Sequence, residues 1–251
     1  MPDNVFRYKQ FSVSQDHAAM KVGTDSDLLG ALTEGGSSIL DIGTGTGVLS
    51  LMLAQRYSEA EITAIEMDEN AVIDARYNFS MSPFSGRIHL IHATFQDYLK
   101  GYKEPIFDCI VCNPPYFDKS LINPNVGRAR ARHSSSLPFS VLTQGAFDLL
   151  RENGVFSTNV PPEALSVFKA EARIAGFQLY KEYQIKSVPE KEPKRYILVY
   201  KKGKVESPIV KTFCMRNSDR SRSEWYIELM KDFLVPGKGY RLEVQNKKAS
   251  G

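Results

Sequence analysis

The residues best suited to chemistry in this chain are Asn113-Pro114-Pro115-Tyr116. They follow FDCIVC, an apolar run over residues 107–112 with the length and character of a buried strand. Two prolines then forbid further pairing and stiffen the backbone. An amide, fixed carbonyls and an aromatic ring are presented together at the carboxyl end of that strand, which is where ligands bind in open α/β sheets. The set suits gripping a planar amino group. The Asn113 side-chain oxygen and the Pro114 carbonyl can each accept one hydrogen of an NH2, while Tyr116 stacks on the ring that carries it. A rigid turn, or a polyproline segment for a partner's groove, would use the same four residues, so the rest of the chain must decide.

A second constellation lies upstream. Residues 38–47, SILDIGTGTG, read as an apolar strand running into a glycine-rich turn, and residues 48–56, VLSLMLAQR, have helical spacing. The spacing G-x-G-x-G preceded by Asp41 is not the dinucleotide fingerprint G-x-G-x-x-G. A carboxylate beside the turn would repel a phosphate but welcome a cofactor carrying an ammonium and a sulfonium. The next strand, over residues 61–68, carries Glu66, 19 residues past Gly47 and close to the ~20 expected of an acid that grips ribose hydroxyls. Met67 beside it can pack on a purine face. Together these features point to a nucleoside-bearing cofactor.

The other elements must position these two groups. Residues 5–13 partly alternate apolar and polar and read as a hairpin strand or sheet edge. Residues 21–32 look like a loop feeding a short helix, with Thr24 as N-cap and Asp27 as capping partner, forming a flap over the glycine turn. A helix over 70–81 and a strand over 87–91 precede residues 93–97, expected as a loop closing over a purine with Phe95 as its wall. After the Asn-Pro-Pro-Tyr turn, residues 127–136 place Arg128, Arg130 and Arg132 in a loop that would clamp a phosphate backbone. Helices over 138–150 and 162–175 flank a strand over 154–160, and residues 177–186 with 195–202 form a terminal hairpin. Residues 222–235 are amphipathic, with Trp225, Ile227, Leu229 and Phe233 offering apolar contacts, and residues 236–251 read as a disordered tail.

The 251 residues, 42% hydrophobic and 24% charged, have the composition of a soluble globule. No apolar run reaches membrane-spanning length and the first residues lack an apolar signal core, so a cytoplasmic protein is expected. Cys109 and Cys112 form a C-x-x-C, but three apart on a strand they point to opposite faces, and no second pair or nearby histidine completes a metal site. The net charge of +3 hides an asymmetry: residues 1–180 hold 15 Lys/Arg against 20 Asp/Glu, and residues 181–251 hold 17 against 9. An acidic body with a basic C-terminal part is compatible with a polyanionic partner.

The ordered motifs match a family. From residue 38 to about 202 the chain resembles class I S-adenosylmethionine-dependent methyltransferases: DIGTGTG is similar to their first motif, IEMD to their second, and NPPY to the catalytic motif of the amino-methyltransferases. More narrowly, KQFSVSQDHAAMKVGTDSDLLGA, the R-A-R-A-R loop and SEWYIELMKDF resemble the bacterial tRNA1(Val) adenine N6-methyltransferases, over roughly residues 6–234. The resemblance implies a Rossmann-like α/β fold: a mostly parallel seven-stranded sheet with an antiparallel C-terminal hairpin and helices on both faces. It implies one methyltransferase domain over residues 1–235, with an N-terminal strand and flap helix (1–37), a core (38–203) and a basic C-terminal segment and helix (204–235).

The implied activity is methylation of the N6 amino group of adenine 37 beside the anticodon of a valine tRNA, by a monomer, without metal. Asp41, Gly43 and Gly45 would hold the methionine end of the cofactor, Glu66 its ribose, and Met67 and Phe95 its adenine. Thr24 at the flap and Asn113 would complete that site. Asn113, Pro114, Pro115 and Tyr116 would hold the target base, with Arg128, Arg130 and Arg132 on the RNA. Many relatives carry an acid where Thr94 stands; Thr94 would accept a hydrogen bond from the cofactor adenine, or Asp97 would substitute. The same grip fits another planar amine or amide, such as a protein glutamine or an rRNA or DNA adenine. A non-catalytic RNA-binding scaffold would have no use for Asp41, Glu66 and the NPPY turn together.

Overall fold

The computed structural model of the protein describes residues 4–101, 104–114 and 137–235. Pro115, Tyr116, Arg128, Arg130, Arg132 and the tail over 236–251 lie outside the described residues.

The N-terminal stretch is a small antiparallel hairpin, β1 (Val5–Arg7) and β2 (Ser12–Ser14). Helix α1 (Thr24–Leu32) follows. The central unit alternates strand and helix: β3 (Ser38–Ile42), α2 (Val48–Arg56), β4 (Glu61–Glu66), α3 (Glu69–Ser80), β5 (Ile88–His92), α4 (Phe95–Gly101) and β6 (Phe107–Cys112). Then come α5 (Phe139–Leu149), β7 (Leu150–Val160), α6 (Leu165–Ile174), β8 (Gln178–Lys186), β9 (Arg195–Lys201), β10 (Ile209–Cys214) and α7 (Glu224–Met230). None of the helices among the described residues is long and apolar enough to cross a membrane.

Strands β3 to β10 form one sheet in the order β10-β8-β9-β7-β6-β3-β4-β5. It is α/β and mostly parallel, with β9 antiparallel to both its neighbours, as the sequence implies. The sheet has eight strands rather than seven, because β10 pairs in parallel with β8 and extends the hairpin. Its residues IVKTFC are largely exposed, so burial periodicity carries little sign of a strand there. The chain leaves β3 toward β4 and β5, then crosses back to β6. Strand order therefore reverses between β3 and β6, the crevice where open α/β sheets bind ligands.

Each sheet face has its own core. Residues of β3 such as Ile39 pack with α1, α2, α3 and α7, while Leu40 and Ile42 pack with α4, α5 and α6. Strands buried on both faces read as near-continuous apolar runs, which is why SILDI and FDCIVC were legible as strands. Cys109 lies in the first core and Cys112 in the second, on opposite faces. Burial pushes both thiols well above their usual range.

Several expectations change in detail. The N-cap of α1 is Gly23, not Thr24, and Thr24 is the first helical residue. Asp27 does not cap; it is fully buried and accepts a hydrogen bond from the Tyr8 hydroxyl. Of residues 93–97, only 93 and 94 are loop, and Phe95 begins α4. The Asp97 N–H donates to Thr94 Oγ1 (3.0 Å) and the Thr94 hydroxyl donates back to Asp97 Oδ2 (2.7 Å), a capping pair. Strand β7 begins at Leu150, four residues earlier than expected, with Leu150 paired to Phe107. In α7 the buried residues are Tyr226 and Met230, whereas Ile227 is exposed. Trp225 stacks on Phe213 of β10 with ring centroids 4.4 Å apart, and Leu229 and Phe233 also pack on the core, so of the four expected apolar contacts only Ile227 is turned outward.

Candidate active site

At the carboxyl ends of β3, β4 and β6 lies a cavity of about 220 Å3. The register explains its composition. Ile42 of β3 pairs with Ile65 of β4 on one side and Cys112 of β6 on the other, so Gly43, Glu66 and Asn113 emerge side by side. The N–H groups of Gly43 and Thr44 both donate to the Ile65 carbonyl, fixing the turn to β4.

Gly43 and Gly45 adopt left-handed φ angles of 70° and 58°, which favour glycine. A Cβ at either would meet nothing within 4 Å, so both present bare backbone to open space. Gly47 (φ 86°) differs: a Cβ there would strike the Phe79 ring, so it serves close packing of α2 against α3. Three glycines of one motif thus divide into two that face the cavity and one that faces the core.

Asp41 is fully buried, and Ile42, not Asp41, lines the cavity. Its Oδ2 accepts hydrogen bonds from the hydroxyls of Thr44 (2.6 Å) and Ser50 (2.7 Å). Its Oδ1 has no hydrogen-bond partner among the described residues. Burial pushes its pKa up to about 6, against the two hydroxyls that hold it down. Glu66 accepts from the Gly45 N–H through Oε2 and from the N–H groups of Met67 and Asp68 through Oε1, each at 2.8 Å. The carboxylate braces its own turn while facing the cavity. Met67, 44% exposed, and buried Phe95 form apolar walls.

Asn113 and Pro114 close the cavity on the β6 side. Asn113 Nδ2 lies 3.4 Å from Ser26 Oγ on α1, and Asn159 Nδ2 lies 3.4 Å from Asn113 Oδ1. The amide is held between α1 and the buried end of β7, and its oxygen retains acceptor capacity. Sequence reasoning missed both partners. Ser26 and Asn159 stand 87 and 46 residues away, and nothing local marks them.

The cavity is also lined by a strap, Ala18, Ala19 and Met20, that precedes α1, rather than by α1 itself. Asp74 of α3 anchors it by accepting from the N–H groups of His17 (3.0 Å) and Ala18 (2.8 Å). Asn78 joins the strap's base to the glycine turn: its Nδ2 donates to the carbonyls of Ser14 and Thr46. Thr24 and Thr94 are not brought to this cavity. The Thr94 hydroxyl is committed to Asp97, which is also outside the lining, and Gln96 is the polar side chain of that turn that reaches it.

The residues fit a cationic nucleoside cofactor on three observations: bare glycine backbone over open space, a buried acid with an unused oxygen, and an acid and apolar walls at the next strand end. No lysine or arginine lines the cavity among the described residues. Nor do three or more His, Cys, Asp and Glu side chains gather anywhere among them to hold a metal ion.

A family model described as "Methyltransferase small domain" matches residues 17–137. A tRNA1(Val) (adenine(37)-N6)-methyltransferase of Phocaeicola vulgatus is 42% identical over 94% of this chain and 99% of its own length. One of Shewanella sp. (strain MR-4), with the same name, is 38% identical over 92% of this chain and 98% of its own. In fold, the chain is similar to a predicted O-methyltransferase from Agrobacterium tumefaciens (TM-score 0.65, 18% identity, 83% of this chain and 96% of that one). It is also similar to P. horikoshii TYW2 in complex with MeSAdo (TM-score 0.54, 16% identity, 80% and 72%).

Proposed function

The chain belongs to the tRNA1(Val) (adenine(37)-N6)-methyltransferase family, and from that premise we propose that it methylates N6 of adenine 37 in a valine tRNA, using S-adenosylmethionine. The observation that carries the reading is the placement of the Asn113 amide on the wall of the cavity that Gly43, Gly45, Glu66 and Met67 also line. When bound, S-adenosylmethionine supplies an electrophilic methyl group on a sulfonium. Gly43 and Gly45 would pass its methionine end over bare backbone, with Asp41 beneath the turn. Glu66 would take the ribose hydroxyls, and Met67 and Phe95 would sandwich the adenine.

An exocyclic amino nitrogen is a poor nucleophile because its lone pair is delocalised into the ring. Asn113 Oδ1 and the Pro114 carbonyl would accept its two hydrogens and favour a pyramidal nitrogen whose lone pair faces the methyl donor. Positive charge developing on that nitrogen would lie between two fixed acceptors, the kind of preorganisation that contributes most in such sites. The amine loses its proton after transfer, so no strong base is required. The acids on the cavity wall, Glu66 and Asp68, sit at the β4 end rather than beside Asn113. Turning the base out of a folded loop costs a few kcal/mol, which phosphate contacts would offset. Pro115 and Tyr116 complete the grip in this reading, and Arg128, Arg130 and Arg132 contribute phosphate contacts. The same reading has one methyltransferase domain over residues 1–235 acting as a cytoplasmic monomer.

The test is transfer of labelled methyl from S-adenosylmethionine to bulk tRNA from cells lacking the enzyme, followed by nucleoside analysis. N6-methyladenosine in a valine tRNA is the expected product. Label in DNA or protein, with none in tRNA, would discard the substrate while keeping the amino-group chemistry.

A further inference from the structure

The carboxyl edge of the sheet continues past Asn113. Beyond β7 it runs through the ends of β9, β8 and β10, where the register sets Arg195 beside Ile185, and Cys214 beside Lys186. Arg195 opens β9, while Ser187 and Arg216 stand just beyond the ends of β8 and β10. Arg222 is brought in by a bridge pairing with Arg216. With Thr24 and Tyr226, these residues line a second cavity, of about 140 Å3.

Three guanidinium-bearing side chains meet in this lining. Arg195 Nε pairs with Asp25. Arg216 makes a long bond (3.4 Å) to the Arg220 carbonyl, and Arg222 lies over the Tyr226 ring at 5.2 Å. Asp27, an acid that feels Arg222, is buried and bonded to Tyr8. The Ser187 hydroxyl oxygen, also in the lining, is buried without a hydrogen-bond partner among the described residues. Three guanidinium groups lining one small cavity beside a hydroxyl with no hydrogen-bond partner among the described residues are the chemistry of a phosphate site.

None of these residues lines the cavity at Asn113, yet the two are linked. Thr24 lies one residue pair before Ser26, which accepts from Asn113. With strands ~4.8 Å apart, the ends of β9 and β8 lie roughly 10 and 14 Å from that of β6. A ligand that reaches both must be longer than one nucleoside. We propose that Arg195, Arg216, Arg222 and Ser187 bind a backbone phosphate of the RNA substrate, on the strand flanking the base held at Asn113. The proposal rests on the RNA reading above, and it adds a site to it.

The test is tRNA binding by the full chain across a salt series, for the wild type, Arg216→Gln, the double variant Arg216→Gln/Arg222→Gln, Arg216→Lys and Ser187→Ala. Melting temperature and S-adenosylmethionine binding report the fold. Each arginine lost is expected to weaken binding roughly tenfold and to lower the slope of log affinity against log salt by about one. Arg216→Lys keeps the slope but loses part of the affinity. Ser187→Ala, which removes no charge, weakens binding at unchanged slope and covers the case in which the double variant fails to fold. Wild-type slope and affinity in Arg216→Gln and Ser187→Ala, both folded, overturn the pocket. If the wild type still methylates tRNA in that case, the function stands without it. A wild type that shows no salt-dependent tRNA binding overturns both.

Discussion

One edge of one sheet carries two chemically opposite cavities. At the β3–β4 end the walls are glycine backbone, Glu66 and apolar side chains over buried Asp41, with no cationic side chain among the described residues. At the β8–β10 end the walls hold Arg195, Arg216 and Arg222. Asn113 stands between them on β6, held from α1 by Ser26 and from β7 by Asn159. On the proposed function this separates ligands by charge. A cationic cofactor meets acids and bare backbone, a polyanionic RNA meets guanidinium groups, and the reacting amino group meets neutral acceptors where the two ligands join. The acidic first 180 residues and the basic remainder become a gradient across the sheet because the last three strands are neighbours in the order β10-β8-β9.

The largest effect expected at the cofactor end is that of Gly45→Val. At φ 58° a β-branched residue is strained by about 1–2 kcal/mol, and its side chain would enter the space the cavity needs. Affinity for S-adenosylmethionine, read by calorimetry, should fall at least about tenfold, while tRNA binding and its salt slope stay as in the wild type. Parallel loss of tRNA affinity in the folded variant would break the separation of the two ends.

Asn159→Ala addresses the middle. Removing the buried amide that orients Asn113 should lower the single-turnover rate roughly tenfold through misplacement, with binding of both ligands kept. Lost cofactor affinity instead would assign Asn159 to the cavity wall.

The smallest effect concerns a feature the two ends share, a buried acid. Asp27 has its pKa raised from 3.8 to about 7, chiefly by burial, while the Tyr8 hydrogen bond lowers it. A carboxyl that holds its proton more tightly folded than unfolded contributes stability that is complete below pH 4. That contribution is lost as pH rises through 7. Asp27→Asn keeps an acceptor for Tyr8 and removes the ionisation. Its melting temperature should match the wild type at pH 4 and exceed it at pH 8, by the equivalent of a few kcal/mol at most. Equal curves at both pH values would show that Asp27 ionises in the fold without cost.

What was legible in the sequence was what neighbours in the chain create. Strand, glycine turn, helix, strand and acid are contiguous over residues 38–66, and the cavity lies at the strand ends they mark. The opposite facing of Cys109 and Cys112 follows from the two-residue period of a strand. What was not legible depends on crossovers. Asn159, Ser26, Asp74 and the Arg195–Arg216–Arg222 group reach their partners only through sheet order and register. Residues 93–97 were expected as a loop over the purine, and the Thr94–Asp97 pair instead starts a helix. Strand β10 was hidden because an exposed edge strand carries little burial pattern.

The account turns on Asn113 acting chiefly on the substrate amino group, with only a minor share in holding the cofactor whose cavity it also lines. Asn113→Ala tests this in one preparation, with calorimetric S-adenosylmethionine binding and single-turnover methyl transfer to tRNA measured on the same folded protein. The account predicts cofactor affinity near that of the wild type and transfer reduced by ~10²–10³ or more. Transfer at the wild-type rate, or loss of cofactor binding with the fold intact, would contradict it.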